Sequence, residues 1–379
     1  MRRFVFAICL LILILPSAWA ARAPVNTLAQ DPYASALLIE ADSGKVLFEA
    51  NADAKVYPAS VLKLMDLYVI LDRIEQGALK LDEMVAVTPE AAKTGGSQVY
   101  LDPKEQFPVE DLLYALMVQS ANDAAVALAT HIAGSKEGFV ALMNQKAQEL
   151  GMKNSTFHSV HGLPPSEGQQ PDVTTARDLA ILCRALAKRP DALKYTGTQT
   201  KGFRNDQFIM RNHNKLLGQV AGCDGFKTGY YQAAGFSIAA TAKKGGVRMI
   251  ALVMGSKDRK VRDAKAVELL NKGFTLVPPR PELAGDTAKA TTLPTRPNST
   301  AVTFDTTAAK TVQPGAPTGA DVQQDASPAQ PAQGSDSGWG KFFIGIGIGF
   351  LLFIALFVGA IFLMKRRSGS VRSKYKHRS

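Results

Sequence analysis

Short apolar runs near the start of the chain have the alternating pattern of β-strands. Two such runs, residues 36–39 and 46–48, lie on either side of Asp42-Ser43-Gly44. A turn that contains glycine between two short apolar runs predicts a β-hairpin. Comparable runs return after Phe203, with glycine-containing turns between them, at residues 208–210, 226–228, 236–242 and 247–254. We therefore expect antiparallel strands at both ends of this region.

The stretch between the two groups of strands has helical spacing. Apolar positions recur every three or four residues, which predicts helices. The predicted helices cover residues 60–77, 108–120, 122–133, 137–150 and 175–186, with a short strand at 84–87 and a last helix at 261–274. Strands at both ends and helices in the middle are typical of an α+β domain, in which an antiparallel sheet packs on a helical subdomain.

The segments around this region have different patterns. Residues 1–20 have the basic start, uncharged run and small-residue site of an export signal peptide. Residues 276–340 are rich in proline, alanine and threonine, which predicts a disordered linker. Residues 341–364 predict a transmembrane helix, because the 342–364 stretch is uncharged and can span a hydrocarbon core of about 30 Å. This leaves 21–275 as the folded domain and 365–379 as a basic cytoplasmic tail.

The positive net charge does not indicate a nucleic-acid-binding protein. The formal net charge is +11, but seven basic residues and no acid lie in the tail 365–379, and two more basic residues are Arg2 and Arg3. The folded domain is therefore nearly neutral and has no evident surface for a polyanion. Basic residues after a transmembrane helix favour a cytoplasmic C-terminus, in agreement with an exported domain.

Export also affects the interpretation of the cysteines. Cleavage of the signal peptide would remove Cys9 and leave Cys183 and Cys223. In an oxidising compartment these two residues form either one disulfide or two buried free thiols, and the sequence leaves both alternatives open. The histidines lack metal-ligand spacing and no glycine-rich phosphate loop is present, so we expect no metal and no cofactor.

Ser60 and Lys63 are the first candidates for chemistry. They are three residues apart at the start of a predicted helix and therefore face the same way, so the amine can approach the hydroxyl. This spacing alone is weak evidence, because an N-cap serine with a solvated lysine one turn later gives the same pattern.

Two later stretches strengthen this interpretation. Ser120-Ala121-Asn122 interrupts two helical runs, and its side chains are suited to proton relay and to hydrogen bonding with a substrate carbonyl. Lys227-Thr228-Gly229 lies on a predicted strand, where an extended ligand can lie alongside the backbone. Taken alone, the first stretch is also consistent with a helix end and the second with an edge strand.

The order Ser-x-x-Lys, Ser-x-Asn and Lys-Thr-Gly within one exported domain is the active-site set of the penicillin-recognising serine enzymes. The chain most resembles the low-molecular-weight penicillin-binding proteins that act as serine-type D-alanyl-D-alanine carboxypeptidases. Further stretches that carry the resemblance are 41–47, 57–60, 161–163, 175–180 and 212–217. The resemblance implies a β-lactamase/transpeptidase-like fold, peptidoglycan stem peptides as substrates and β-lactam antibiotics as inhibitors. It also implies a location on the periplasmic side of a bacterial cytoplasmic membrane.

The resemblance also implies a role for each matching residue. Ser60 would attack the carbonyl of the penultimate D-alanine, and Lys63 would accept its proton. Ser120 and Lys227 would pass that proton to the departing D-alanine, and Asn122 would hold the peptide amide.

The resemblance also implies which groups form the oxyanion hole and which bind the terminal carboxylate. The backbone N–H groups of Ser60 and Tyr230 would form the oxyanion hole. Arg262, assisted by Thr228, would bind the terminal carboxylate, and Gly229 would leave room for the peptide.

The sequence departs from the family at three points. Tyr231 follows Tyr230 where a small hydroxyl residue is usual, the proline-rich linker replaces a second β domain, and a spanning helix replaces an amphipathic one.

Three alternatives remain. A class A β-lactamase shares the motifs but needs a deacylating glutamate in a Glu-x-x-Leu-Asn stretch, and none of Glu137, Glu149 and Glu167 has that context. A DD-endopeptidase would use the same acyl-enzyme. A silent, membrane-tethered wall-binding protein would need neither the serine nucleophile nor both lysines.

Overall fold

The computed structural model describes residues 25–280, which are organised around a five-stranded sheet. The strands are β1 (Ser35–Glu40), β2 (Val46–Ala50), β3 (Met84–Ala86), β4 (Gln106–Pro108), β5 (Thr200–Phe203), β6 (Phe208–Arg211), β7 (Cys223–Tyr231), β8 (Gly235–Lys244) and β9 (Val247–Ser256). The α-helices are α1 (Lys63–Glu75), α2 (Pro89–Ala92), α3 (Val109–Tyr114), α4 (Asn122–Ala133), α5 (Lys136–Leu150), α6 (Ala176–Ala187), α7 (Pro190–Gly197) and α8 (Arg259–Leu276). Two 3-10 helices (Ala59–Leu62 and Lys215–Gly218) and a π-helix (Ala115–Gln119) complete the set.

The main sheet joins the two ends of the described chain. Its strand order is β2-β1-β9-β8-β7, and every neighbouring pair is antiparallel. The pairing of β1 with β9 brings Leu37 opposite Leu252. The predicted hairpin of β1 and β2 and the predicted sheet built from both ends of the domain are confirmed.

Both faces of the sheet are covered, as the alternation along β1 requires. Ala36 and Leu38 pack in the cluster that contains Leu270 of α8. Leu37 and Ile39, which point the other way, belong to the larger core shared with the helices from the middle of the chain. The sheet is therefore the middle layer of an α+β domain.

The structure corrects the predicted helix around Ser60. Residues Ala59–Leu62 form a 3-10 helix, and the α-helix begins only at Lys63. Ala59 has a left-handed φ of 46°, and no side chain caps the start of either helix. The apolar spacing of this stretch suits both helix types, so periodicity could not distinguish them.

A similar correction applies to the predicted helix at 108–120. Only Val109–Tyr114 is α-helical, and the next five residues form a π-helix that ends at Ser120. The short elements β4, β5, α2, α7 and the second 3-10 helix were not predicted, because runs of three to eight residues carry little periodic signal.

Several predicted features lie outside residues 25–280: the signal peptide 1–20, most of the linker 276–340, the transmembrane helix 341–364 and the tail 365–379. Within the described part, no helix combines the length and the apolar character needed to span a bilayer. Cys183 is a buried free thiol and Cys223 a half-buried one, so the structure favours the thiol alternative for this pair.

The packing of α8 on the sheet can be tested with a matched pair of substitutions. Leu270 is fully buried, whereas Leu276 on the same helix is 53% exposed. We expect Leu270→Ala to lower the free energy of unfolding by about 2–5 kcal/mol, because it leaves a cavity. The same change at Leu276 should cost less than about 0.5 kcal/mol. Denaturant unfolding of the two variants measures both values, and equal costs would contradict the described position of α8.

Candidate active site

Ser60 lies on the 3-10 helix that precedes α1, and Lys63 is the first residue of α1. This places the two side chains on the same side of one turn. Lys63 Nζ donates a hydrogen bond to Ser60 Oγ over 3.1 Å. The structure therefore brings the predicted nucleophile and base into contact.

Two other parts of the chain meet the same amine. Lys63 Nζ donates to Asn122 Oδ1 over 2.8 Å and to the His161 carbonyl oxygen over 2.6 Å. With Ser60 Oγ, these acceptors match the three N–H donors of a lysine ammonium. The amine is fully buried, so its position is fixed by all three contacts.

Asn122 is oriented by the loop between α2 and β4. Its Nδ2 donates to the Gly95 carbonyl oxygen over 2.8 Å, and its backbone N–H donates to the Ser97 carbonyl oxygen. The neighbouring Asp123 carboxylate accepts hydrogen bonds from the backbone N–H groups of Val99 and Leu101. This loop therefore holds the Asn122 amide with its oxygen towards Lys63.

Ser120 lies between the π-helix and α4, two residues before Asn122. It is buried and has a left-handed φ of 61°. A serine at positive φ is uncommon, and such backbone strain concentrates at functional sites. The backbone strain at Ser120 therefore supports its place in the candidate site.

Strand β7 approaches the 3-10 helix at Gly229. A Cβ at this position would lie 2.7 Å from the Pro58 carbonyl oxygen and 2.9 Å from the backbone nitrogen of Ser60. Only glycine permits this approach without displacement. The structure thus places Gly229 of the Lys-Thr-Gly motif directly against the backbone at Ser60.

The aromatic residues at the end of β7 have distinct environments. Tyr230 is 48% exposed and stacks on Phe236 with ring centroids 4.0 Å apart. Tyr231, the departure from the family pattern, stacks on Tyr57 at 6.0 Å. Because Tyr57 lies three residues before Ser60, this pair connects the end of β7 to the segment that carries Ser60.

Lys227 is the second buried lysine of the site. Its Nζ donates to the carbonyl oxygen of Thr228 over 3.2 Å. Burial lowers the pKa of Lys227 well below its usual range, and the positive charges of Lys63 and Arg262 lower it further. Lys227 is therefore close enough to Lys63 for the two charges to interact.

Arg262 lies at the start of α8, behind β8. Its Nη1 donates to the carbonyl oxygen of Ser237 over 3.2 Å, and Ser237 pairs with Gly229 in the sheet. Nε and Nη2 both donate to Asp263 Oδ1. The guanidinium is therefore already paired with a carboxylate before any substrate is bound.

The charges around Lys63 suit a proton acceptor. Burial lowers the pKa of Lys63 to about 8, and the negative charges of Asp66, Asp172 and Asp123 oppose that decrease. A buried amine with a pKa near neutral can be present in part as the free base and take a proton from a hydroxyl.

The sequence did not predict some of the groups that form the candidate site. The carbonyl groups of His161 and Gly95 carry no residue-type signal, because every residue has one. Gly162 has a left-handed φ of 73°, and a Cβ there would overlap the Ala59 carbonyl. Asp66 did carry a signal, as an acid within the apolar run after Lys63.

Comparisons with known proteins agree with this geometry. The family model described as D-alanyl-D-alanine carboxypeptidase matches residues 24–258. The D-alanyl-D-alanine carboxypeptidase DacF of Bacillus subtilis (strain 168) is 39% identical over 244 residues, which cover 64% of this chain and 62% of DacF. The match thus spans less than two thirds of DacF.

Solved structures share the fold. Penicillin binding protein 6B from Escherichia coli has a TM-score of 0.60 at 32% identity, over 68% of this chain and 80% of that one. Penicillin-Binding Protein D2 from Listeria monocytogenes in the ampicillin-bound form has a TM-score of 0.58 at 29% identity, over 67% of this chain and 100% of that one. The described domain thus has the penicillin-binding-protein fold, an antiparallel sheet with packed helices.

The titration of Lys63 tests the electrostatics of the site. We expect one lysine to change protonation near pH 8, whereas an unperturbed lysine titrates near ~10.4. NMR titration of protein labelled with 13C at the lysine side chains measures this, and Lys63→Arg should remove the signal. If the signal assigned by Lys63→Arg titrates near ~10.4 instead, the described burial of the amine is wrong.

Proposed function

The chain belongs to the D-alanyl-D-alanine carboxypeptidase family, and from this premise we propose that it removes the terminal D-alanine from peptidoglycan stem peptides through an acyl-enzyme on Ser60. The observation that carries the proposal is the buried Lys63 amine, which contacts both Ser60 Oγ and Asn122 Oδ1. A structural lysine would not need a serine hydroxyl as one of its three partners.

The first step is acylation. Lys63, as the free amine, takes the proton of Ser60 while Oγ attacks the carbonyl carbon of the penultimate D-alanine. The oxyanion that forms is stabilised by the backbone N–H groups of Ser60 and Tyr230. The close approach of Gly229 to Ser60 N supports this pairing, because preorganised donors stabilise the transition state most.

The second step is departure of D-alanine. Its nitrogen needs a proton, which passes from Lys63 through the Ser120 hydroxyl. Lys227 supports this relay from its buried position on β7 beside the site, and Asn122 holds the peptide amide. Water then attacks the acyl carbon while Lys63 accepts its proton, the bond between Ser60 Oγ and the acyl carbon breaks, and Lys63 returns the proton to Oγ as the shortened stem peptide leaves.

The terminal carboxylate of the substrate is bound at the far end of β7. Arg262 and Thr228 are the residues for this role, since Arg262 lies behind Gly229 across the sheet. Because Asp263 already pairs with the guanidinium, the carboxylate would share Arg262 rather than supply its only partner. A carboxylate near this cation favours cleavage at the end of a peptide.

β-Lactams are proposed to acylate the same serine. The ampicillin-bound form of the Listeria monocytogenes protein, which has the same fold, supports this extension. The acyl-enzyme with a β-lactam would be long-lived, because no glutamate in the sequence context of a class A β-lactamase is present to activate a deacylating water.

The nucleophile is tested by replacing it. Ser60→Ala should reduce the release of D-alanine from a diacetylated tripeptide ending in D-Ala-D-Ala at least about a thousandfold. The same variant should not be labelled by fluorescent penicillin. Ser166→Ala, the same change at an exposed loop position, should match the unmutated protein in both measurements.

Three results would contradict the proposal. An unmutated protein that neither releases D-alanine nor binds penicillin would favour the silent wall-binding alternative. Rapid turnover of penicillin without peptide cleavage would favour the β-lactamase, and cleavage of cross-linked peptides alone would favour the endopeptidase.

We further propose that the domain faces the periplasm and is tethered to the cytoplasmic membrane. The basis is the sequence alone: the export signal at 1–20, the proline-rich linker 276–340, the uncharged span 342–364 and the basic tail after it. The linker would let the domain reach peptidoglycan some distance from the membrane, about 45 Å as a flexible coil.

The topology is tested with spheroplasts that carry a C-terminal epitope tag on the full chain. Protease added outside should digest the domain and leave a small membrane fragment with the intact tag. Removal of residues 342–379 should release the domain into the soluble fraction. Digestion of the tag without permeabilisation, or protection of the domain, would contradict the proposed orientation.

A further inference from the structure

Arg262 and Asp263 are neighbours near the start of α8, and their side chains form an ion pair. Arg262 Nε and Nη2 both donate hydrogen bonds to Asp263 Oδ1, over 2.9 Å and 2.6 Å. The arginine is 3% exposed, whereas 22% of the Asp263 side chain is exposed. A buried cation is therefore held by an acid that reaches the surface.

Neutralisation of a buried charge is the simplest explanation for Asp263. A buried guanidinium without a partner is costly, so a carboxylate beside Arg262 is expected. Burial lowers the pKa of Arg262, and the charge and hydrogen bonds of Asp263 oppose that decrease. This explanation alone predicts a closed pair, in which the acid and the cation satisfy each other.

The pair is not closed, because the guanidinium has more donors than the pair uses. A guanidinium has five N–H groups. Asp263 accepts from two of them, and the Ser237 carbonyl oxygen accepts from a third, on Nη1, over 3.2 Å. Within residues 25–280 these contacts leave one N–H on Nη1 and one on Nη2. A second carboxylate can bind to this pair of nitrogens.

Arg262 also lies next to the candidate active site. Ser237, whose carbonyl oxygen accepts from Arg262, pairs with Gly229 between β8 and β7. A Cβ on Gly229 would lie 2.9 Å from the backbone nitrogen of Ser60. A substrate that reacts at Ser60 can therefore place its terminal carboxylate against the guanidinium, as the proposed function requires.

Two carboxylates would then share one guanidinium. Their negative charges repel each other, so the terminal carboxylate is held less tightly than by an arginine that has no acid beside it. Cleavage of the peptide bond leaves this carboxylate unchanged on the departing D-alanine. Tight binding of the group would lower KM without raising kcat, and it would also slow the release of the product.

We propose that Asp263 is a resident counter-ion of the substrate site, which limits how tightly Arg262 holds a terminal carboxylate and so allows D-alanine to leave. This inference rests on the proposed function and assigns a residue that the three motifs do not include. Asp263 acts through Arg262, so it is a positioning residue and not a catalytic one. Loss of its charge therefore strengthens the binding of a carboxylate, whereas loss of a purely structural support would weaken it.

The test is the steady-state kinetics of the full-length protein with Asp263→Asn. The amide oxygen of asparagine can still accept hydrogen bonds from Arg262 Nε and Nη2, but the negative charge is removed. KM for a diacetylated tripeptide ending in D-Ala-D-Ala should fall by about threefold to tenfold, and free D-alanine should inhibit at a concentration lower by the same factor. The same tripeptide with a terminal amide, used as a competitive inhibitor, should bind both proteins equally.

Two controls separate the effect of the charge from an effect on the fold. Asp263→Glu keeps the charge, so KM and the inhibition by D-alanine should stay closer to the wild-type values than in Asp263→Asn. Glu268→Gln removes an exposed carboxylate of the same helix, which pairs with Lys265 over 2.7 Å, and it should match the wild type in every measurement. If Asp263→Asn does not fold, Asp263→Ser supplies a smaller neutral side chain for the same comparison.

The outcomes are distinguishable. Wild-type protein that neither releases D-alanine nor is labelled by penicillin would overturn the proposed function itself. Active wild-type protein, together with an unchanged or higher KM in a folded neutral variant, would overturn only the inference about Asp263, and so would failure of both neutral variants to fold. A lower KM and stronger inhibition by D-alanine in the neutral variant, with unchanged binding of the amide and no change in Glu268→Gln, support it.

Discussion

The buried amine of Lys63 is the interaction on which the site depends. Its three hydrogen-bond acceptors come from the 3-10 helix before α1, from the start of α4 and from the loop that contains His161. In the sequence, Asn122 is 59 residues from Lys63 and His161 is 98 residues from it. A buried ammonium or amine without acceptors is costly, so the three segments must converge for the domain to be stable. The hydrogen bonds that the buried lysine needs therefore also bring the residues of the candidate active site together.

The sheet supplies the fourth side of the site. Gly229 brings the backbone of β7 against Ser60 N, and Tyr231 packs on Tyr57 just before the nucleophile. The sheet is held in turn by cores on both faces, one shared with α8 and one with the helical block. The position of Ser60 therefore depends on contacts that reach through the whole domain. This explains why backbone strain is tolerated at Ala59 and Ser120, where the surrounding structure fixes the conformation.

Much of this architecture could be predicted from the sequence, because the pattern of apolar residues and the three active-site motifs indicated the same fold. The apolar runs of β1, β8 and β9 and the glycine-containing turns between strands predicted a sheet from both ends of the domain, and the order of the three motifs predicted which residues meet. The 3-10 helix at Ser60 and the π-helix before Ser120 could not be predicted, since their apolar spacing resembles that of an α-helix. The roles of the His161 and Gly95 carbonyl groups could not be predicted either, because every residue type has a main-chain carbonyl that can accept a hydrogen bond.

Asp66 shows the opposite case, in which the sequence carried a signal that the motifs did not explain. An acid within the run 61–70, where its neighbours are apolar, violates the rule that buried positions are apolar. Such a violation usually costs stability and persists where function needs it. In this domain burial lowers the pKa of both Lys63 and Lys227, and nearby carboxyl groups oppose that decrease at Lys63 whereas nearby cations add to it at Lys227. Burial also raises the pKa of Asp66 well above its usual range, so this acid lies where its own charged form is disfavoured, in the turn that Lys63 begins.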